Sequence, residues 1–200
     1  MALSTQANPS ASGWTRRRLA LFLLSMSPLI ALLALLAWGQ FRTGGNPGGV
    51  LEYTESGEQT IPAKAAPAFS GFDLVHANFI NNAAVSGKIV MVDFWSSWCT
   101  ACLAEAADLA SVYTEYADLP VEFVGIAIWD ESGDVQRYIE RFTITYPNII
   151  DDDGTTAVSY GVRGVPEKFF VDANGTIVRK LTGPVSPERL REILDSLLAS

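Results

Sequence analysis

Residues 89–102, IVMVDFWSSWCTAC, constrain this chain more than any other stretch. They open on four apolar residues, Ile89 to Val92, a run that suits a strand buried on both faces. They close on Cys99 and Cys102, the only two cysteines of the protein. A helical pattern starts at once: Leu103, Ala106, Ala110, Tyr113 and Ala117 recur at three- and four-residue steps. Cys99 therefore sits where a strand ends and a helix opens. Unpaired N–H groups and the positive end of the helix dipole meet there, and both favour a thiolate. The pattern makes Cys99 the nucleophile, with a lowered pKa and an exposed sulfur. Cys102, one turn deeper, can close a disulfide back to it.

The amino-terminal quarter has a different character. Residues 19–38 form a run of 20 without a charge, about 30 Å as a helix, which matches the hydrocarbon thickness of a bilayer. Trp14 and Trp38 bracket the run as interface aromatics do, and Pro28 is tolerable in a membrane helix. Arg16, Arg17 and Arg18 precede it against Arg42 alone beyond it, which puts the amino terminus in the cytoplasm. A cleaved signal peptide has a shorter apolar core, so the run reads as an uncleaved signal-anchor. The expected organisation is a cytoplasmic segment at 1–18, a transmembrane helix at 19–38, a flexible Gly/Pro-rich linker at 39–68 and an extracytoplasmic domain at 69–200. The net charge is −8, and all 22 acids lie from Glu52 onward. An acidic domain of this kind argues against nucleic acid as a partner.

Beyond the linker, Phe69 to Ile80, with Gly71 and Asn81-Asn82, suggests a short hairpin or a strand and a turn. A buried strand at Val121 to Ile128 follows Leu119-Pro120, which stops the preceding helix. Val135, Tyr138, Ile139 and Phe142 mark a second helix, and residues 147–150 a short strand. Asn174-Gly175 predicts a two-residue hairpin turn between two further strands. Ser186-Pro187-Glu188 starts a last helix with a cap, a first-turn proline and an acid. Strands alternating with helices, then a hairpin and a helix, give a central mixed sheet covered on both faces.

A Cys-x-x-Cys pair serves several chemistries. Zinc usually takes four ligands, whereas this chain adds one histidine, His76, and no second cysteine pair. Cu(I) accepts two thiolates, so copper delivery is the serious rival, though neither a downstream histidine nor a methionine cluster supports it. A purely structural bridge this short closes almost no loop and stabilises little. Redox exchange suits the pair best, on the side of the membrane where disulfides form. Asp93 lies on the apolar strand, and period two buries it; a carboxyl there without a cationic partner has a raised pKa. Glu105 reads as an ordinary acid near the helix start, and Trp95 and Trp129 as core or groove aromatics. The run Asp151-Asp152-Asp153-Gly154 reads as a turn and cap rather than a cation site.

Residues 93–102, DFWSSWCTAC, resemble the active-site strand and helix of the thioredoxin family. Residues 160–172, YGVRGVPEKFFVD, resemble the segment that carries that family's cis-proline. The Gly164-Val165-Pro166-Glu167 step is similar to that of the membrane-anchored thiol–disulfide reductases of cytochrome c maturation. The resemblance covers about residues 69–199, the size of one domain. It implies an α/β thioredoxin-like fold, a central mixed β-sheet with helices on both faces, preceded here by one transmembrane helix. It also implies roles: Cys99 attacks, Cys102 resolves and Asp93 moves protons, while Trp98, Val165, Pro166 and Glu167 meet the substrate. Pro166 is expected cis, with Val165's backbone free for an extended substrate. Glu167 resembles the glutamate those reductases place near their cysteines; the alternative is an exposed strand residue. No metal and no bound cofactor are implied beyond the redox-active Cys99–Cys102 pair. The implied partners are protein thiols, with apocytochrome c first, and an integral membrane electron donor. Two positions depart from the pattern: Asp93 stands where many such relatives carry asparagine, and Ala107 where they often carry proline. The rivals are a copper chaperone, a disulfide-forming oxidase on the same fold and a non-enzymatic interaction domain.

Overall fold

A computed structural model describes residues 16–42, 57–59 and 61–200. The chain divides into two units, Met1–Glu52 and Tyr53–Ser200. In the first, α1 (Arg16–Arg42) is a helix of 27 residues with Pro28 inside it. Among the described residues no helix is long and apolar enough to cross a membrane. The side chains at 19, 22 and 23 fall outside the described set, so the apolar run of α1 is described only in part. Residues 1–15 of the expected cytoplasmic segment, and 43–56 and 60 of the expected linker, lie outside the described residues.

The second unit starts with β1 (Glu58–Gln59) and β2 (Lys64–Ala65). A hairpin of β3 (Ser70–Asp73) and β4 (Asn78–Asn81) follows as its own two-stranded sheet. Then come β5 (Ile89–Trp95), α2 (Thr100–Glu115), β6 (Val121–Ala127) and α3 (Ser132–Arg141). The chain closes with β7 (Asn148–Ile150), α4 (Thr155–Tyr160), β8 (Glu167–Val171), β9 (Thr176–Thr182) and α5 (Pro187–Leu198). The main sheet runs β1-β9-β8-β5-β6-β7, with β2 also on β9. Strands β5, β6 and β7 are parallel, and β8 joins β5 antiparallel, which makes the sheet mixed. β1 and β2 fall inside residues 39–68, expected as a tether. They pair with Lys180, Leu181, Thr176 and Ile177, so that boundary moves toward the amino terminus.

β5 is buried at every position, as its apolar run requires. Its side chains alternate between two cores. Ile89, Met91 and Trp95 enter one core with residues of α2, α3 and α5. Val90, Val92 and Phe94 enter the other with Ala157 and Tyr160 of α4. Helices therefore cover both faces, three on one and the short α4 with the β3–β4 hairpin on the other.

The β8–β9 turn differs from the two-residue expectation. Gly175 alone is left-handed (φ 80°), and the register shifts between Phe170 and Val171. Asp172 takes over the turn: its carboxylate accepts the Asn174 and Thr176 N–H groups. The Asp172 N–H donates to the Thr176 carbonyl and the Gly175 N–H to the Asp172 carbonyl, which closes a three-residue loop; the two-residue turns need a left-handed residue at Asn174, which is not left-handed here. The start of α5 follows the local signal: Ser186 Oγ accepts the Arg189 N–H, and Pro187 fills the first turn.

Candidate active site

The carboxyl end of β5 delivers the chain into a short loop that is held from both sides. Ser96 Oγ donates to the Ile128 carbonyl at 2.6 Å, and Ser97 Oγ donates to Asp130 Oδ1 at 2.9 Å. The Ser97 N–H donates to the other Asp130 oxygen. This clamp places Cys99 at the N-cap of α2, where its Sγ accepts the Cys102 N–H at 3.1 Å. A sulfur in that position meets the helix N-terminus directly. Cys99 and Cys102 are joined in a disulfide. Cys102 is 1% exposed and Cys99 only 6%. The order of accessibility is the expected one, but Cys99 is not the open sulfur its helix-opening position suggested.

Two tryptophans flank the pair on the surface. Trp98 is 58% exposed and donates its indole N–H to the Trp129 carbonyl at 2.9 Å. Trp129 is 59% exposed and left-handed (φ 53°), so it is no core residue. Trp95 is: it stacks on Tyr138 at 4.1 Å and donates to Asn148 Oδ1 at 3.0 Å. Tyr138 in turn donates to the Cys102 carbonyl at 2.9 Å. The Val165–Pro166 peptide is cis, and Val165 packs against the core that contains both cysteines.

Asp93 is buried as expected, but it has a cationic partner. Lys168 stands directly across from it in the β5–β8 register, with Nζ 3.2 Å from Asp93 Oδ1. The same ammonium lies 2.5 Å from Oε1 of Glu105 on α2. Glu105 is thus no solvated acid near the helix start: it is 4% exposed, and its Oε2 accepts the Val185 N–H at 2.9 Å. Burial pushes its carboxyl up to about 7; Lys168 opposes the shift and Asp93 adds to it. Burial also raises Asp93, against the pull of Lys168. Burial alone lowers a lysine, yet the two carboxylates hold Lys168 above its usual value.

Glu167, expected at the substrate surface, is buried at 1% exposure. It points to the opposite face from Lys168, as neighbours on a strand must. There its Oε2 lies 2.7 Å from Lys180 Nζ, and Oε1 accepts the Arg163 N–H at 3.3 Å. Its position braces the loop before Pro166 and offers nothing to a surface ligand. His76 belongs to the β3–β4 hairpin and pairs with Asp73 at 2.6 Å. Asp151 accepts the Thr156 and Ala157 N–H groups, a cap on α4.

Sequence reasoning missed Lys168, Asp130 and the role of Glu105. A lysine between Glu167 and Phe169 on an otherwise buried strand was the one available signal for Lys168. Its partner depends on the register of strands 75 residues apart.

With this geometry in place, the comparisons with known proteins decide the family. Residues 62–180, more than half the chain, match the AhpC/TSA family. The chain belongs to that family. It is 31% identical over 111 residues to thiol-disulfide oxidoreductase ResA of Geobacillus thermodenitrificans, covering 56% of this chain and 64% of that protein. It is 26% identical to thiol:disulfide interchange protein HelX of Rhodobacter capsulatus over 88% of this chain and 96% of HelX. It is 31% identical to thiol:disulfide interchange protein DsbE of Allochromatium vinosum, over 68% of this chain and 75% of DsbE. Among solved structures, a thiol:disulfide interchange protein of the thioredoxin family from Chlorobium tepidum is similar, with a TM-score of 0.63 and 27% identity. That likeness covers 70% of this chain and 99% of the other. The fold is thioredoxin-like.

Proposed function

We propose that the protein is a membrane-tethered, extracytoplasmic thiol–disulfide oxidoreductase that works as a reductase in cytochrome c maturation. The observation that carries this reading is the Cys99–Cys102 disulfide at the N-terminus of α2, in the thioredoxin-like setting that also holds a cis Val165–Pro166 bond. In the reduced enzyme the N-cap position of Cys99 favours its thiolate, which attacks a disulfide of the partner protein. A mixed disulfide forms, and one partner thiolate leaves. Cys102 is held within bonding distance, so its attack on Cys99 is intramolecular and has a high effective concentration. Cys102 gives up its proton, with Asp93 as the acceptor, and the partner departs as a dithiol. Trp98 and the Val165 backbone beside Pro166 present the partner chain, the latter as an added strand. The chemistry runs on the cysteine pair itself, without a bound cofactor.

The tether is residues 19–38 within α1, where the uncharged run and the arginine asymmetry support an uncleaved anchor with a cytoplasmic amino terminus. An integral membrane electron donor then recharges the disulfide. Apocytochrome c cysteines are the first substrate, on the strength of the resemblance around Pro166.

The test is trapping. Cys102→Ala removes the resolving thiol and leaves attack intact. It accumulates dithiothreitol-sensitive adducts whose partners identify the substrate, whereas Cys99→Ala accumulates few. Adducts on Cys99→Ala only overturn the roles; none on either variant overturns the oxidoreductase reading. A redox titration fixes direction: a potential near −270 mV supports a reductase, and one near −120 mV reverses it (both approximate values).

A further inference from the structure

The cations of the second unit are nearly all committed. Of the 14 Lys and Arg residues, Arg16, Arg17, Arg18 and Arg42 stand in the amino-terminal quarter, and ten lie beyond it. Seven of those ten are ion-paired to carboxylates, Lys168 and Lys180 beneath the site among them. Arg141 lies over the Phe142 ring, 5.0 Å from its centroid. Lys64 stands on β2 beside Ile177, at the end of β9 away from the disulfide. That leaves Arg163. It is exposed and stands two residues before Val165. Its backbone N–H donates to Glu167, but among the described residues its guanidinium has no hydrogen bond and no ion pair. Solubility does not call for a cation here, since the acids that lie from Glu52 onward already keep the surface charged.

The topology puts Arg163 on one flank of the disulfide. β5, which delivers Cys99, lies between β8 and β6 in the sheet. β8 begins at Glu167, opposite Phe94, so the 161–166 loop that leads into it stands beside the carboxyl end of β5. β6 ends at Ala127, opposite Trp95, so the 129–131 loop stands on the other flank. That second flank carries acids: Asp130, whose carboxylate accepts from Ser97, and Glu131, which is exposed. The two sides of the cysteine pair therefore differ in charge. A partner cysteine that reaches Cys99 lies between a guanidinium and two carboxylates.

We propose that Arg163 determines specificity: its guanidinium pairs with a carboxylate of the partner protein, on the segment that lies along Val165, and so selects partners with an acidic residue close to the reacting cysteine. The inference rests on the oxidoreductase reading and names the chemistry of the partner. Backbone pairing at Val165 is blind to side chains, whereas charges beside it set register and choice. Arg163 is at most about 7 Å along the backbone from Val165, so partner side chains within a few positions of the one opposite Val165 are in reach. The acids of the other flank repel the same carboxylate and so reject the reversed placement.

The experiment measures attack by Cys99 in the full-length Cys102→Ala chain in detergent micelles. The probes are extended peptides with one cysteine, activated as a 2-thiopyridyl disulfide. The Cys99 thiolate bonds to the peptide sulfur, the peptide–thiopyridyl bond breaks, and its electron pair leaves with the thiopyridyl group, whose absorbance gives the rate. A single Glu is moved through the three positions on either side of the cysteine, and the reference peptide has Gln at all of them. The readout is the ratio of the Glu to the Gln rate constant within each variant, which cancels any change in the thiol itself. At one or more positions Glu raises the rate about two- to fivefold, and high salt removes the gain. Arg163→Gln brings the ratio to about one, and Arg163→Glu takes it below one. No gain at any position, or a gain that survives in Arg163→Gln, overturns the inference. Equal slowing of both peptides with the ratio kept assigns the arginine to the reactivity of Cys99 and overturns it too. Both replacements keep the backbone N–H that meets Glu167 and alter only an exposed side chain, so the fold is not at stake. A lone thiol reacts with an activated disulfide whatever the chain does in the cell. The oxidoreductase reading therefore fails separately, on the absence of turnover by the wild-type pair.

Discussion

Replacing Lys168 with methionine removes the only cation between two buried carboxyls and keeps the side chain's length. The consequence for stability depends on pH, and its size follows from proton counting. In wild type burial raises the Glu105 carboxyl to about 7, whereas an unfolded glutamate releases its proton near 4.5. A raised carboxyl stabilises the fold below the unfolded pKa, and that contribution is lost as pH rises through the folded pKa. The shift of about 2.5 units corresponds to about 3 kcal/mol lost between pH 4.5 and pH 7 or slightly above. Without Lys168 only the Val185 N–H on Glu105 opposes burial, so both carboxyls are pushed further up and the folded variant holds its protons to higher pH than wild type. It then binds at least one proton more than wild type. Each such proton costs about 1.4 kcal/mol per pH unit above the unfolded value. From pH 5 to pH 8 the gap between wild type and variant therefore widens by about 4 kcal/mol. Urea unfolding of the full-length proteins in non-ionic detergent, followed by tryptophan fluorescence at both pH values, measures it. A gap constant to within about 1 kcal/mol refutes the claim that Lys168 balances buried charge.

Gly125→Ala tests the packing beneath the site. A Cβ there falls 1.9 Å from Asn148 Oδ1 and 2.9 Å from Trp95 Nε1. Those two atoms share a buried hydrogen bond, so neither can retreat freely. The variant loses at least about 3 kcal/mol of stability by chemical denaturation, from overpacking plus the broken bond; less than 1 kcal/mol contradicts this packing. The tether predicts that protease added outside spheroplasts digests the chain beyond Phe41 and spares the first 18 residues. Recovery of the catalytic unit in the cytoplasmic fraction refutes it, and a mature amino terminus near Gly39 points to a cleaved signal instead.

What the sequence determined by itself is what short-range physics controls. The Cys99–Cys102 spacing places both sulfurs within one helical turn. The apolar run before them demands a strand buried on both faces, and Ser186-Pro187-Glu188 caps a helix with groups three residues apart. The alternation that buries Asp93 is equally local. Tertiary structure decided what Asp93 meets. Lys168 reaches it only because β8 pairs antiparallel with β5 in one register, and Glu105 joins because α2 packs on that face. A one-residue slip puts Glu167 in the place of Lys168, a carboxylate against a carboxylate. The observed register sends Glu167 to Lys180 on the far face instead. The same dependence on register brought Gln59 and Ala65, in a stretch that reads as a loose tether, into pairing with β9. Two-residue strands carry no periodic signal; they exist because a preformed edge offers them hydrogen bonds. The placement of the cysteines is local, and the buried charges of Glu105 and Lys168 that meet Asp93 come from elements distant in sequence.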